Sequence, residues 1–214
     1  MSCFIDLYTE PVNVDDAVDI VRYAGRLGYC IVGMRPFDPS DWSRIVDEGL
    51  KVGVKMVKVY RVKGSNRGDV AGRAAKAPRG VILVAEAKSQ EIARYASVNK
   101  RFAGYIVVPG MERIVDRSTR NLFRERGWGV VIVLLRYLLG KRDKATWRYY
   151  YLSLRRGFAY NVDIALASGA RDSSELWHPM SAAGVASIVG VPGEYARLWL
   201  TSAPARLIDA FQRR

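Results

Sequence analysis

Three observations predict an α/β chain folded as a TIM-like (β/α) barrel, incomplete or distorted, with seven clear strands. Short runs rich in Val, Ile and aromatic residues recur along the chain, and helical or turn-rich stretches lie between them. Each run starts one strand, loop and helix after the last, a spacing that favours parallel strands joined by helical crossovers. No Gly-x-Gly-x-x-Gly follows the first run, which argues against an open dinucleotide-binding sheet and for a barrel.

The strand-like runs are Cys3 to Leu7, Tyr29 to Gly33, Val54 to Tyr60, Val81 to Ala85, Gly104 to Val108, Val130 to Leu135 and Val162 to Ala167. Two of the intervening helices are directly legible. After Asn13, a good N-cap, Ala17, Ile20, Val21, Ala24 and Leu27 share one face and Gly28 is placed to end the helix. After Pro39-Ser40-Asp41, Trp42, Ile45, Val46 and Leu50 repeat that pattern. Lys63 to Pro78 carries three glycines among Arg, Lys and Ala, and reads as a mobile basic loop followed by a short helix. An eighth strand is harder to place. Arg197 to Thr201 would supply one, but Glu194 to Leu200 also reads as a helix, so closure of the barrel stays open.

The 214 residues, half of them hydrophobic, suffice for one sizeable core, and no composition break divides them, so one domain over 1–214 is expected. The longest apolar runs are far below the roughly 20 residues that cross a bilayer. The N-terminus has no signal-peptide pattern, so an intracellular, cytoplasmic protein with no membrane partner is expected. Cys3 and Cys30 each lie in an apolar run and read as small buried thiols, with neither a disulfide nor a metal site expected.

Net charge is +13 and very unevenly spread: −5 over residues 1–50, +18 over 51–156 and zero over 157–214. Charge placed for solubility alone would not concentrate in the middle, whereas a surface that neutralises phosphates would. A polyanion partner follows, nucleic acid rather than membrane; the alternative, a thermophile's charged surface, enriches both signs together.

Candidates for catalysis are few. His178, the sole histidine, precedes Pro179 at a loop-to-helix junction and reads as a surface or capping residue. Neither Gly-x-Ser-x-Gly nor Gly-Lys-Ser/Thr occurs, so a nucleophile elbow and a P-loop lack support. Carboxylates stand at Asp6, Glu86, Glu112, Asp116 and Asp163. Paired, they would suit Mg²⁺; the plainer reading has Asp6 and Asp163 hydrogen-bonded at strand ends and the rest solvated. No catalytic and no metal-binding residue is therefore assigned.

The positive charge falls mainly in two stretches. Lys51 to Arg79 holds nine basic residues against Asp69, with Arg61, Lys63 and Arg67 taken as its RNA contacts. Arg113 to Arg156 holds twelve against three acids. On a helix from about Lys141 to Phe158, Lys141, Lys144, Arg148 and Arg155 fall within roughly 60° of one another. Trp147, Tyr150, Leu154 and Phe158 form a separate apolar face, and Tyr149 and Tyr151 are placed either to stack on bases or to pack. No RRM or KH signature is present, so recognition of RNA shape and backbone is expected.

Two resemblances complete the reading. Asp6-Leu7-Tyr8-Thr9-Glu10 looks like the Asp-Leu-His-x-His opening of polymerase-and-histidinol-phosphatase (PHP) type metal phosphoesterases with both histidines absent, a change that removes metal ligands. Arg155-Arg156-Gly157, Asn161, the strand Val162 to Ala167, then Ser168-Gly169-Ala170, Leu176, Pro179 and a small-residue helix resemble the archaeal and eukaryotic ribonuclease P protein component 3, the p30-type subunit. Phe4-Ile5-Asp6-Leu7 and Ser202-Ala203-Pro204 before an Ala/Leu helix agree, so the resemblance spans nearly the whole chain in element order. Ala167 departs from it where the family has Ser, and Trp177-His178 stand where an Arg often precedes the Pro. The resemblance implies a PHP-like barrel without its metal site, inside an endoribonuclease whose RNA, using Mg²⁺, removes the 5′ leader from precursor tRNA. This chain would bind no cofactor itself. Its implied partners are the ribonuclease P RNA, precursor tRNA through the holoenzyme, and a small ferredoxin-like subunit of the Pop5 type. Ser168 would sit at the strand-end loop in contact with RNA, with Gly169 serving either the turn or the RNA. The rival reading is a PHP-like metal-dependent phosphoesterase.

Overall fold

In the computed structural model, which describes residues 3–140 and 143–213, β-branched runs and amphipathic stretches alternate as the sequence pattern requires. The strands are β1 (Phe4–Thr9), β2 (Tyr29–Met34), β3 (Lys55–Val62), β4 (Ile82–Ala87), β5 (Phe102–Val107), β6 (Val130–Leu134) and β7 (Ile164–Ala167). They pair in chain order and every pair is parallel. The helices are α1 (Val14–Leu27), α2 (Pro39–Val52), α3 (Arg67–Ala75), α4 (Gln90–Val98), α5 (Arg117–Arg126), α6 (Lys144–Ala159), α7 (Pro179–Ile188), α8 (Gly193–Leu198) and α9 (Ser202–Gln212). Among the described residues no helix is long and apolar enough to cross a membrane.

Local chemistry sets the helix ends. The Asn13 side chain accepts the Asp16 N–H at 2.9 Å to start α1, and Gly28, at φ 84°, ends it in the left-handed region that a side chain would strain. Period two along the strands then divides the core. Val130, Ile132 and Leu134 join an inner cluster with Leu7, Val84 and Ala165, to which Leu207 and Ile208 of α9 also belong. Val131 and Val133 face an outer cluster shared with the surrounding helices. Both faces of the strands are thus buried, the pattern of a barrel rather than of a half-exposed sheet.

The seam between β7 and β1 closes in two parts. At the strand C-terminal end, Gly169 N–H donates to Tyr8 O (3.0 Å) and Glu10 N–H to Ala170 O (2.8 Å). At the other end, Ile5 N–H donates to Leu200 O (2.7 Å) and Leu166 N–H to Trp199 O (3.1 Å). Both readings of the 194–201 segment are therefore partly realised: its first part is α8, and the two residues after it bridge the seam where an eighth strand would lie.

Two expectations are corrected. Cys3 and Cys30 are not buried thiols but a disulfide, with Cys3 exposed, Cys30 half-buried and their Cα atoms 5.6 Å apart. The cause is a register shift: Phe4 pairs with Tyr29 and Ile5 with Ile31, so Cys30 has no ladder partner and sits within reach of Cys3. The buried face of α6 is Thr146, Tyr149, Tyr150, Ser153, Leu154 and Gly157, so Trp147 points out where burial was expected and Tyr149 is no platform for a base. Close approach to the sheet explains the choice, since a Cβ on Gly157 would collide with the Ile164 side chain.

Candidate nucleic-acid interface

The barrel mouth, at the C-terminal ends of the strands, is built from charges that satisfy one another. Arg61, at the end of β3, donates to Glu86 of β4 (2.6 and 2.7 Å) and to Glu10, just past β1 (3.1 Å). Arg136, after β6, reaches the same Glu10 oxygen at 2.9 Å. Lys63 lies 3.5 Å from Glu10 and Lys88 3.3 Å from Glu86. Burial alone would raise the Glu10 pKa, but Arg61, Lys63 and Arg136 together hold it below the usual carboxylate range. Beneath this layer Asp6 accepts the N–H of Ser168 (3.1 and 3.2 Å) and of Tyr8 (3.2 Å). Desolvation pushes its pKa up to about 6 against the pull of those bonds.

Several site assignments change accordingly. Arg61, expected to contact RNA, is nearly buried and held by two carboxylates. Ser168 is also buried: its N–H binds Asp6 and its Oγ accepts the Ala170 N–H at 3.1 Å, so it holds the seam rather than a ligand. Gly169, at φ 66°, serves the turn. Glu86, Glu112 and Asp116 are not simply solvated either. Glu86 faces Arg61, Glu112 is buried and accepts the Gly110 N–H, and Asp116 caps α5 while binding Arg94 through both oxygens (2.6 and 3.1 Å). Asp163 is half-exposed, just before β7, paired with Arg206 at 2.6 Å. Among the described residues no three His, Cys, Asp or Glu side chains converge as a metal site would need.

The outer face of α6 is different. Lys144, Arg148 and Arg155 are exposed along it, and Trp147 and Tyr151 stand between them with 44% and 53% of their surface open. Residues 144, 147, 148, 151 and 155 occupy one side of the helix by its 3.6-residue turn. Three cations and two aromatic rings therefore share one stripe. Arg155 is partly tethered, donating to Gly190 O at 2.9 Å. Lys141 lies outside the described residues. Arg67, on α3, is exposed with its guanidinium 5.2 Å from the Tyr95 ring centre, and Lys63 is half-exposed at the mouth, so neither belongs to the stripe. The sequence pattern missed Glu10, whose acid beside the first strand end was the available signal, and the outward Trp147, which hydropathy assigns to the core.

No family model matches the chain. The chain is 37% identical to "Ribonuclease P protein component 3" of Aeropyrum pernix over 214 residues, covering 96% of this chain and 97% of that protein. The chain belongs to the ribonuclease P protein component 3 family. A chain in the solved cryo-EM structure of archaeal ribonuclease P with mature tRNA has the same fold, with a TM-score of 0.79 at 12% identity, covering 98% of this chain and 91% of that one. An amidohydrolase superposes less closely, with a TM-score of 0.57 at 13% identity over 98% of this chain and 74% of its own. At those identities the likeness concerns the barrel alone. Where the sequence departs from the component 3 pattern, the residues serve local structure. His178 Nδ1 accepts the Met180 N–H at 3.2 Å as the N-cap of α7, and Trp177 O accepts the Tyr29 hydroxyl at 2.8 Å.

Proposed function

We propose that this chain is a protein subunit of ribonuclease P that binds and supports the catalytic RNA removing the 5′ leader from precursor tRNA, and performs no covalent step itself. The carrying observation is the full-length relationship to ribonuclease P protein component 3. The stripe on α6 supplies what such a role needs: fixed cations for phosphates and two exposed rings, on a helix anchored by buried Tyr149, Tyr150 and Leu154. The rival phosphoesterase reading finds its would-be ligands engaged, Asp6 by backbone N–H groups and Glu10 and Glu86 by Arg61. In this proposal Mg²⁺ belongs to the RNA of the holoenzyme, and the chain carries no cofactor. A small ferredoxin-like subunit of the Pop5 type is its protein partner, and the cytoplasm its compartment.

The test is reconstitution of precursor tRNA cleavage from RNA and protein subunits, with and without this chain, across Mg²⁺ concentrations. Cleavage should rise most at low Mg²⁺, because bound cationic side chains replace part of the counterion requirement of the RNA. An unchanged rate and an unchanged Mg²⁺ optimum would refute the assignment.

A further inference from the structure

A trough lies at the strand N-terminal end of the barrel, opposite the mouth, where α6 turns into β7. It is a concavity of about 470 Å³ bounded by the outer half of α5, residues 157–163, α8 and the start of α9. Arg120 and Arg124, one turn apart on α5, form one wall and also line a smaller adjoining hollow. Two guanidinium groups at this spacing repel each other unless an acid lies between or beside them. Asp116, one turn before Arg120, is bound through both oxygens by Arg94, and Asp163 in the trough is paired through one oxygen with Arg206, which lines the trough as a third cation. Among the described residues the Arg120 and Arg124 side chains make no ion pair or hydrogen bond.

The opposite wall offers a flat aromatic surface. Tyr195 lies in the trough with 39% of its surface open, its ring fixed edge-on against Phe158 with centroids 5.0 Å apart. Between the walls, Asn161 follows α6 at φ 51°, where glycine is the usual residue.

We propose that this trough holds a short single-stranded stretch of RNA, with phosphates on Arg120 and Arg124 and a base stacked on Tyr195. The inference rests on the RNA-binding reading above but concerns a different surface. Uncompensated cations in a concavity call for an anion, and a fixed ring beside them suits a base better than an acidic peptide. The trough is too small for a duplex, whose wide, shallow minor groove and phosphates need an open surface such as the outer face of α6.

The test uses the full chain, a labelled oligouridylate and a blunt RNA duplex, with binding followed at several salt concentrations. R120A/R124A should bind the single strand about tenfold more weakly, and its salt slope should fall by about 0.7 for each phosphate left without its arginine, with duplex binding unchanged. Y195A should bind about fivefold more weakly with the salt slope unchanged, and Y195F should bind as the parent does. K144A/R148A should show the reverse pattern, weak on duplex and normal on single strand. Parental single-strand affinity in R120A/R124A overturns the proposal, as does an equal weakening on both probes. Displacement of the oligouridylate by a polyglutamate peptide at matched charge would give the trough to an acidic protein segment instead. If K144A/R148A binds duplex normally while the trough variants fail on single strand, the trough stands and the α6 stripe does not. A parent chain that binds neither RNA removes both.

Discussion

The Asp6 carboxylate accepts the backbone N–H of Ser168 through both oxygens, at 3.1 and 3.2 Å, and so ties the first strand of the barrel to the end of the last. The carboxylate is buried, with its pKa pushed up to about 6, so the native state holds this proton more tightly than the unfolded chain does. Asp6 therefore costs stability above about pH 6, and the cost disappears as pH falls towards the ordinary value of 3.8. The displacement corresponds to about 3 kcal/mol. Asp6→Asn should gain on the parent chain at pH 7 and lose that relative gain between pH 6 and 4. Urea unfolding of both chains across that range checks it; a constant offset from the Asn amide leaves the slope intact, and a flat difference would show that folding does not raise the Asp6 pKa.

Arg61 bridges Glu10 and Glu86 across the mouth, and its removal leaves two carboxylates of low exposure without their shared cation. Arg61→Met should cost roughly 3–5 kcal/mol. Adding Glu86→Gln should recover most of that deficit, because Glu10 keeps Arg136 and Lys63 whereas the nearly buried Glu86 is left with only the exposed Lys88. Chemical denaturation of the single and double variants separates stranded charge from packing: an unrecovered double variant would mean that Arg61 acts by packing.

The elements were legible because each carries its own local mark. All seven strands are β-branched or aromatic runs, and Gly28, Gly53 and Gly127 end α1, α2 and α5 in left-handed geometry at φ 84°, 73° and 87°. What stayed hidden depends on residues distant in sequence. Arg61 reads as a surface cation until Glu86 and Glu10, 25 and 51 positions away, are seen beside it. The seam bridge of Trp199 and Leu200 uses two backbone carbonyls and leaves no periodicity. On α6, hydropathy counts Trp147 as inward and Thr146, Ser153 and Gly157 as outward, whereas packing against the sheet requires small residues and reverses that order. For the same reason the cationic stripe and Tyr151 were legible and the outward Trp147 was not.

The disulfide joins the residue just before β1 to β2 across a sequence separation of 27. A loop of that length implies roughly 3–4 kcal/mol of stabilisation from the restricted unfolded chain. Cys3→Ser should lower the midpoint of thermal unfolding, and reductant should bring the parent chain down to the same midpoint while leaving the variant unmoved. A parent chain indifferent to reductant, with free thiols by mass spectrometry, would show that the pair is not oxidised in solution.

Lys144 and Arg148 lie one turn apart on the exposed stripe of α6, with the open rings of Trp147 and Tyr151 beside them. If the stripe meets RNA backbone, each phosphate contact removed should lower the slope of log K against log salt by about 0.7 to 0.9, with little change in sequence preference. Lys144→Glu with Arg148→Glu should therefore weaken binding steeply at low salt and much less at high salt. Bulk charge predicts the same direction, so the comparison must hold net charge equal. Arg26→Glu with Lys55→Glu does this at exposed positions on α1 and β3, on other parts of the barrel wall. Both pairs are exposed, so both double variants should unfold near the parent temperature. A loss of affinity confined to the α6 pair assigns the contact to the stripe. Equal losses in the two folded variants would reduce the stripe to a solvated face, and the +18 of the middle segment would then act only as a diffuse field.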